Sequence, residues 1–148
     1  MNKIFQLWGS EPEGTPDVDH ILQVVDAVLE TEPDYLVAGQ TKNRALLQTI
    51  CDKAHAKGVK VHQWGSLFSE DDDAADYDVL LGADGKPQEK VFGENFNFRC
   101  PASDKNVQLF AQMQAERMHG IDFDGVFLDR VRYPSAANGH WRASARTA

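Results

Sequence analysis

Four side chains that could do chemistry follow a short apolar run near the end of the chain. The run is Val126–Leu128, and directly after it come Asp129, Arg130, Arg132 and Tyr133. An apolar run of this kind is typical of a buried strand. Neighbouring guanidinium groups lower the pKa of a carboxylate and keep it ionised, which is the state that a nucleophile requires. We predict that the strand ends at an active site with Asp129 as its reactive group.

The same residues also fit a second interpretation. Asp129, Arg130 and Arg132 could form a structural ion-pair cluster at the end of a strand, without any catalytic role. In the catalytic interpretation, one of the two arginines supports the ionised carboxylate or holds a substrate.

The preceding sequence alternates between strand and helix patterns, which must position this stretch. Strands are predicted by apolar runs, and helices by apolar residues at helical spacing between caps and glycine or proline stops. Thr41 or Asn43 is the predicted cap of the second helix. The predicted order is a strand at 3–8, a helix at 18–30, a strand at 34–39, a helix at about 44–57, a strand at 59–66, a loop-rich region at 67–101, a helix at 107–119, and a strand around 126–128.

Alternation of this kind predicts parallel strands with helices packed outside them. The first strand ends in QLWGS (6–10) and the third in HQWGS (62–66), and similar strand ends favour a barrel whose strand ends share one rim. We predict the N-terminal half of a (β/α)8 barrel, with about four strands. A small open, doubly wound α/β sheet is the alternative, because 148 residues suit it.

The shared rim supplies further candidates for substrate binding. Trp8 and Trp64 could stack on sugar rings, although a tryptophan at a strand end is as often part of the core. His62 or Gln63 could hydrogen-bond a sugar hydroxyl. The candidate substrate-binding set is Trp8, His62, Trp64, Arg130, Arg132 and Tyr133. We expect Trp8, Gly39, Trp64 and Asp129 at one end of the sheet.

The stretch FDGVFLDRVRYPS (123–135) resembles the fourth-strand motif of a group of glycoside hydrolase-like barrel proteins, loosely related to the α-amylase superfamily. The matching positions are Asp124, Gly125, Val126, Asp129, Arg132, Tyr133 and Pro134. The resemblance implies a (β/α)8 fold and makes Asp129 the nucleophile. The sequence departs from amylases proper at Phe127, where they carry an arginine, and this weakens a carry-over of detailed mechanism.

A full barrel takes about 250 residues, so the predicted elements make up about half of one. The resemblance implies that the other catalytic carboxylates lie on strands five and seven, beyond the four predicted here. We assign residues 3–139 to the partial barrel, and 140–148 to an atypical tail that is either disordered or the product of a frameshift or truncation. Two functions follow as alternatives: an N-terminal fragment of a glycoside hydrolase that is inactive alone, or a complete small α/β domain that binds a ligand or partner without catalysis.

The composition of the chain limits the kinds of partner that it can bind. A net charge of -8 and a pI near 5.0 disfavour binding to nucleic acid. No stretch approaches the ~20 apolar residues needed to span a bilayer, and no signal-peptide region is found, so we expect a cytoplasmic protein without a membrane partner. The histidines lack metal-ligand spacing, and no cofactor or metal is expected.

Half a barrel leaves its first and last strands with an uncovered edge. We therefore predict that copies of the chain associate with one another through these edges.

Overall fold

The computed structural model describes residues 2–7, 17–39, 41–67, 69–70, 77–82, 84–87, 97–129 and 131. Within these ranges the predicted alternation of strands and helices is confirmed. The elements are β1 (Ile4–Gln6), α1 (Val18–Leu29), β2 (Tyr35–Ala38), α2 (Arg44–His55), β3 (Lys60–Ser66), β4 (Ser69–Glu70), β5 (Asn97–Phe98), α3 (Asp104–Met118) and β6 (Gly125–Asp129).

Polar caps and a glycine set the limits of the first two helices. The Asp17 carboxylate accepts the N–H groups of Asp19 at 3.0 Å and His20 at 3.2 Å, so α1 begins where the sequence predicted. Of the two predicted caps of α2, Asn43 is the one used, and its Oδ1 accepts the Leu46 N–H at 3.1 Å. Gly58 follows α2 with φ 72°, a left-handed conformation that glycine adopts without steric cost.

The main sheet has four strands in the order β1-β2-β3-β6. The first two pairs are parallel, with Tyr35 opposite Ile4 on one side and opposite Lys60 on the other. Two hydrogen bonds give β6 the same direction: the Asp124 N–H donates to the Val61 carbonyl at 2.8 Å, and further along the Leu67 N–H donates to the Asp129 carbonyl at 3.1 Å. The order follows the chain without the reversal that marks a doubly wound sheet.

Both α1 and α2 pack on the same face of the sheet. On that face Leu36, Ala38 and Val61 are buried, and they form one cluster with residues from the two helices. The helical members are Val25, Leu29, Leu46, Leu47, Ile50, Cys51 and Ala54. A doubly wound sheet would place helices on both faces, whereas a barrel places them all outside. The fold is therefore that of the N-terminal half of a (β/α)8 barrel.

The chain forms two compact units. The first contains the described residues up to Gly65 together with Arg117–Phe127, and the second contains those from Ser66 to Glu116 together with Leu128, Asp129 and Val131. In the second unit β4 and β5 form an antiparallel pair.

The buried side of α3 differs in part from the predicted one. The sequence pattern predicts a stripe of Val107, Phe110, Ala111, Gln114 and Met118. Phe110 and Gln114 are buried as predicted, whereas Val107 and Ala111 are exposed and Asn106 is buried. The reason is the hydrogen bonding of Asn106, whose side chain donates to the carbonyls of Asp78 at 2.7 Å and Cys100 at 2.9 Å. It also accepts the Asp78 N–H at 2.9 Å, so this amide is fully used in the interior.

A carboxylate joins three elements at the beginning of the sheet. Asp124 Oδ2 accepts the Val61 N–H at 2.8 Å and lies 2.9 Å from His55 Nε2 in the last turn of α2. Burial alone would raise the pKa of Asp124. The hydrogen bonds from Val61 and His55 and the charges of His55 and Lys60 outweigh burial, so the pKa of Asp124 lies below its ordinary value of 3.8.

We expect Asp124→Asn to lower the free energy of unfolding by about 1 kcal/mol, a value reduced from that of buried charged hydrogen bonds because the side chain is partly exposed. Urea denaturation measures the change. Asp122→Asn is the matched control: the side chain is exposed and two residues away, and among the described residues Asp122 forms a hydrogen bond only through its backbone N–H, to Gln48. An equal loss in both variants would contradict the role of the Asp124 carboxylate.

The same carboxylate predicts a dependence of stability on pH. Because folding lowers the pKa of Asp124, its contribution is complete above the unfolded value near 3.9 and disappears as the pH falls through the lower folded value. Denaturation at pH 6 and at pH 2–3 should show a smaller acid-induced loss in Asp124→Asn than in the unsubstituted chain. Equal losses in the two proteins would show that other groups cause the acid sensitivity.

Candidate functional site

The carboxyl ends of the parallel strands lie at the same end of the sheet. Gly39 follows β2, Trp64 lies in the second half of β3, and Asp129 ends β6. These three residues thus have the layout that the sequence predicted. Trp8, the fourth residue of that prediction, lies outside the described residues.

Asp129 is the last residue of β6 and is half-buried. Its backbone carbonyl accepts the Leu67 N–H at 3.1 Å, so the end of β6 lies against the chain just after β3. Since side chains alternate along a strand, Asp129 shares a face with Gly125 and Phe127. Arg130, Arg132 and Tyr133 lie outside the described residues, and their support of Asp129 stays a prediction.

His62 and Trp64 lie on the face of β3 that is opposite to the helices. The alternation is visible in their burial: Val61 and Gln63 are buried toward the helices, whereas His62 and Trp64 are half-buried. Two of the predicted substrate-binding residues therefore share one face of one strand.

The His62 ring fits between two neighbouring strands. Its centroid lies 5.1 Å from that of Tyr35, with the rings tilted by 56°. On the other side, a Cβ added to Gly125 would lie 3.4 Å from His62 Nε2. The glycine in the sequence DG (124–125) thus makes room for the imidazole, and Tyr35 fixes its position. Sequence reasoning missed Tyr35, because a tyrosine at the start of a strand carries no signal of its own.

Gln63 does not line this face. It is 1% exposed, and its side-chain amide donates to the Trp64 carbonyl on the helix side of β3. A sugar outside the chain cannot reach it there. Of the two polar neighbours of Trp64 considered from the sequence, His62 is the one available for ligand binding.

Gly39 allows the end of β2 to pack closely against Gln63 and Trp64 of β3. Its φ of 122° is a conformation that other residues rarely adopt, and a Cβ there would lie 3.1 Å from Gln63 Nε2 and 3.2 Å from the Trp64 backbone nitrogen. The end of β2 can approach β3 at this level only because Gly39 has no side chain.

A cavity of about 260 Å³ lies in the first unit, between β1, α1 and α2. Most of its lining is apolar, and Gln6 contributes to it with a buried Nε2 that has no hydrogen-bond partner among the described residues. Among the described residues the apolar lining includes Phe5, Leu7, Ile21, Val24 and Leu46. This cavity could not be predicted from the sequence, because its residues form an ordinary pattern of core positions.

Other reactive groups contribute little to the site. Burial raises the pKa of the Cys51 thiol to about 12, which keeps it protonated and unreactive. Within the part of the chain that the structure describes, no group of three or more potential ligands could hold a metal ion. No helix there is long and apolar enough to cross a membrane.

Comparison with solved structures identifies the class of fold. The chain is similar to a noncanonic maltogenic α-amylase, AmyB, from Thermotoga neapolitana, with a TM-score of 0.62 and 10% identity over 91% of this chain and 40% of that one. A family GH13_31 enzyme matches with a TM-score of 0.45 and 13% identity, over 90% of this chain and 39% of that one. No protein-family model matches the sequence, and neither does any curated protein.

At 10% identity, the likeness to the α-amylase concerns the fold. It confirms the barrel fold that the resemblance of the fourth-strand motif implied. The chain spans about 40% of the length of the solved structures that it matches.

We expect Gly39→Ala to lower the free energy of unfolding by about 3 kcal/mol, because it adds backbone strain to a close contact with Gln63 and Trp64. Gly58→Ala is the control, since its φ is also positive but nothing lies within 4 Å of the added Cβ. Strain alone should cost the control about 1 kcal/mol. Guanidinium denaturation of both variants measures the difference, and equal losses would mean that the approach of β2 to β3 does not depend on Gly39.

Proposed function

We propose that this chain is part of a carbohydrate-active enzyme of the glycoside hydrolase type, with Asp129 as its nucleophile. The observation that carries the proposal is the position of Asp129 as the last residue of the fourth parallel strand. Enzymes with a (β/α)8 barrel hold their catalytic residues at the carboxyl ends of the strands. The motif around Asp129 and the likeness of the fold to that of a maltogenic α-amylase support the same assignment.

A sugar is the substrate that two side chains of β3 suit. Tryptophan offers an apolar ring surface and one hydrogen-bond donor, and imidazole adds a donor or acceptor beside it. Trp64 and His62 present these groups on the face of β3 opposite to the helices. Trp8, Arg130, Arg132 and Tyr133 complete the proposed binding set. The cytoplasm is the location that we propose, from the sequence alone.

Hydrolysis needs a second carboxylate. A glycosidase uses one carboxyl group as acid and another as base or nucleophile. In the proposed scheme the second group comes from barrel strands after β6, and the 148-residue chain alone does not hydrolyse glycosides. If this chain alone turned over a substrate, the missing acid would have to come from Glu11, Glu70 or Glu94.

The proposal is tested on the longest reading frame that contains this chain together with further barrel strands. We expect that protein to hydrolyse an oligosaccharide, and Asp129→Asn to lower the rate by several orders of magnitude with an unchanged melting temperature, because the substitution keeps the shape and removes the charge. Asp122→Asn is the control and should retain activity. Loss of stability with little loss of turnover would make Asp129 a structural partner of Arg130 or Arg132 instead.

The cavity favours a second candidate function, a small α/β domain that binds an apolar ligand without catalysis. A volume of about 260 Å³ is near the lower limit of ligand pockets, and the lining is mostly apolar. Val24, 42% exposed at the cavity, is the position at which a larger side chain could fill it. Binding of small apolar probes that Val24→Trp abolishes, combined with no activity in the longer protein, would favour this function over hydrolysis.

A further inference from the structure

Both edge strands of the main sheet pair on one side only. Among the described strands, β1 pairs with β2 alone and β6 with β3 alone. An unpaired edge presents a row of N–H and C=O groups and readily accepts another strand. Apolar side chains are exposed on both edge strands: Ile4 is 56% exposed and Phe5 38% in β1, and Leu128 is 47% exposed in β6.

The beginnings of the four strands carry alternating charges. Lys3 precedes β1, Asp34 precedes β2, Lys60 begins β3, and Asp124 precedes β6. Neighbouring starts are in contact through their backbones: the Lys3 backbone N–H donates to Asp34 Oδ2 at 2.6 Å, and the Lys60 backbone N–H donates to the Asp34 carbonyl at 3.2 Å. The exposed Lys3 ammonium group donates to the Thr31 carbonyl at 3.1 Å, not to a carboxylate. The charge of Lys60 in turn acts on Asp124.

This alternation ends in opposite charges at the two edges. The β1 edge begins with the exposed Lys3, and the β6 edge begins with Asp124 and the exposed Asp122. A strand that continued the pattern beyond β6 would begin with a lysine. The first strand of this same chain has that property.

We propose that two copies of the chain close one eight-stranded barrel, with β6 of each copy pairing in parallel with β1 of the other. The four strands have the order and direction of half a (β/α)8 barrel, so a half turn about the barrel axis places β1 of the second copy where a fifth strand belongs. Both joints then bring Lys3 of one copy beside Asp122 of the other. Twofold symmetry makes the two joints identical and closes the assembly.

An antiparallel joint between two β1 strands fits less well. It would place the start of one strand beside the end of the other, so Lys3 would gain no acidic neighbour, and both β6 edges would stay open. The proposal rests on the fold and not on the glycosidase function, and its test contains no sugar, so either can fail without the other.

The experiment is a charge exchange followed by sedimentation velocity on the 148-residue chain. We expect the unsubstituted chain to sediment at twice its mass of 16.5 kDa. Lys3→Glu alone and Asp122→Lys alone each place like charges at both joints, and each should raise the dimer dissociation constant about tenfold or more at low salt. An equimolar mixture of the two variants restores opposite charges at both joints, so it should dimerise again as a heterodimer.

Lys86→Glu is the matched control, because this exposed lysine lies in the second unit and undergoes the same change of charge. It should leave dimerisation unchanged, and 1 M salt should reduce the difference between the joint variants and the control. A chain that stays monomeric at about 100 μM and melts cooperatively would overturn the proposal. So would charge variants that behave like the control, or a series of species larger than the dimer, because a closed barrel leaves no edge free. Should Asp122→Lys fail to fold, Lys3→Glu against Lys86→Glu still decides.

Discussion

The position of the fourth strand depends on one carboxylate. Asp124 holds the beginning of β6 against the Val61 N–H of β3 and against His55 at the end of α2. Five residues later the same strand ends at Asp129, and at about 3.3 Å per residue the start of a strand fixes the place of its end. A shift of one residue at Asp124 would turn Asp129 to the opposite face of the sheet. The structural acid and the candidate catalytic acid are thus the two ends of one short strand.

The two faces of the sheet carry different kinds of side chains. The face toward α1 and α2 is filled by aliphatic side chains from β2, β3 and both helices, and it also takes up Gln63. The other face of β3 carries His62 and Trp64, which are only half-buried. Glycines at two levels make this division possible: Gly39 lets β2 approach β3, and Gly125 leaves room for the His62 ring. Rigid packing on one face therefore positions polar and aromatic groups on the other.

Much of this was readable in the sequence, for physical reasons that are local. Asp17 and Asn43 cap their helices because their side chains bond N–H groups within three residues, and such short-range chemistry appears directly in the sequence. The location of Asp129 at the end of a strand followed from the apolar run before it. The buried stripe of α3 was predicted correctly at Phe110 and Gln114 but wrongly at Val107 and Ala111, because Asn106 is satisfied by the backbone of residues 78 and 100, which only the folded chain brings near. The apolar cavity and the contact of Tyr35 with His62 depend on distant segments in the same way.

The proposed function and the unpaired edges of the described sheet depend on the same thing, which is the presence of further strands beside β1 and β6. A glycosidase of this fold needs a second carboxylate at the same rim as Asp129, and in a barrel that rim is completed only by strands that pair beyond β6. Among the described strands the β1 and β6 edges are unpaired, and unpaired backbone groups and exposed apolar side chains at a sheet edge favour association with further strands at those same places. Whatever pairs with these edges, a second copy or further strands of a longer chain, brings its own strand ends to the rim. Closing the sheet and supplying the rim with a second set of side chains are therefore the same structural event, and in the proposed dimer the charges at the strand starts favour β1 of a second copy beside β6.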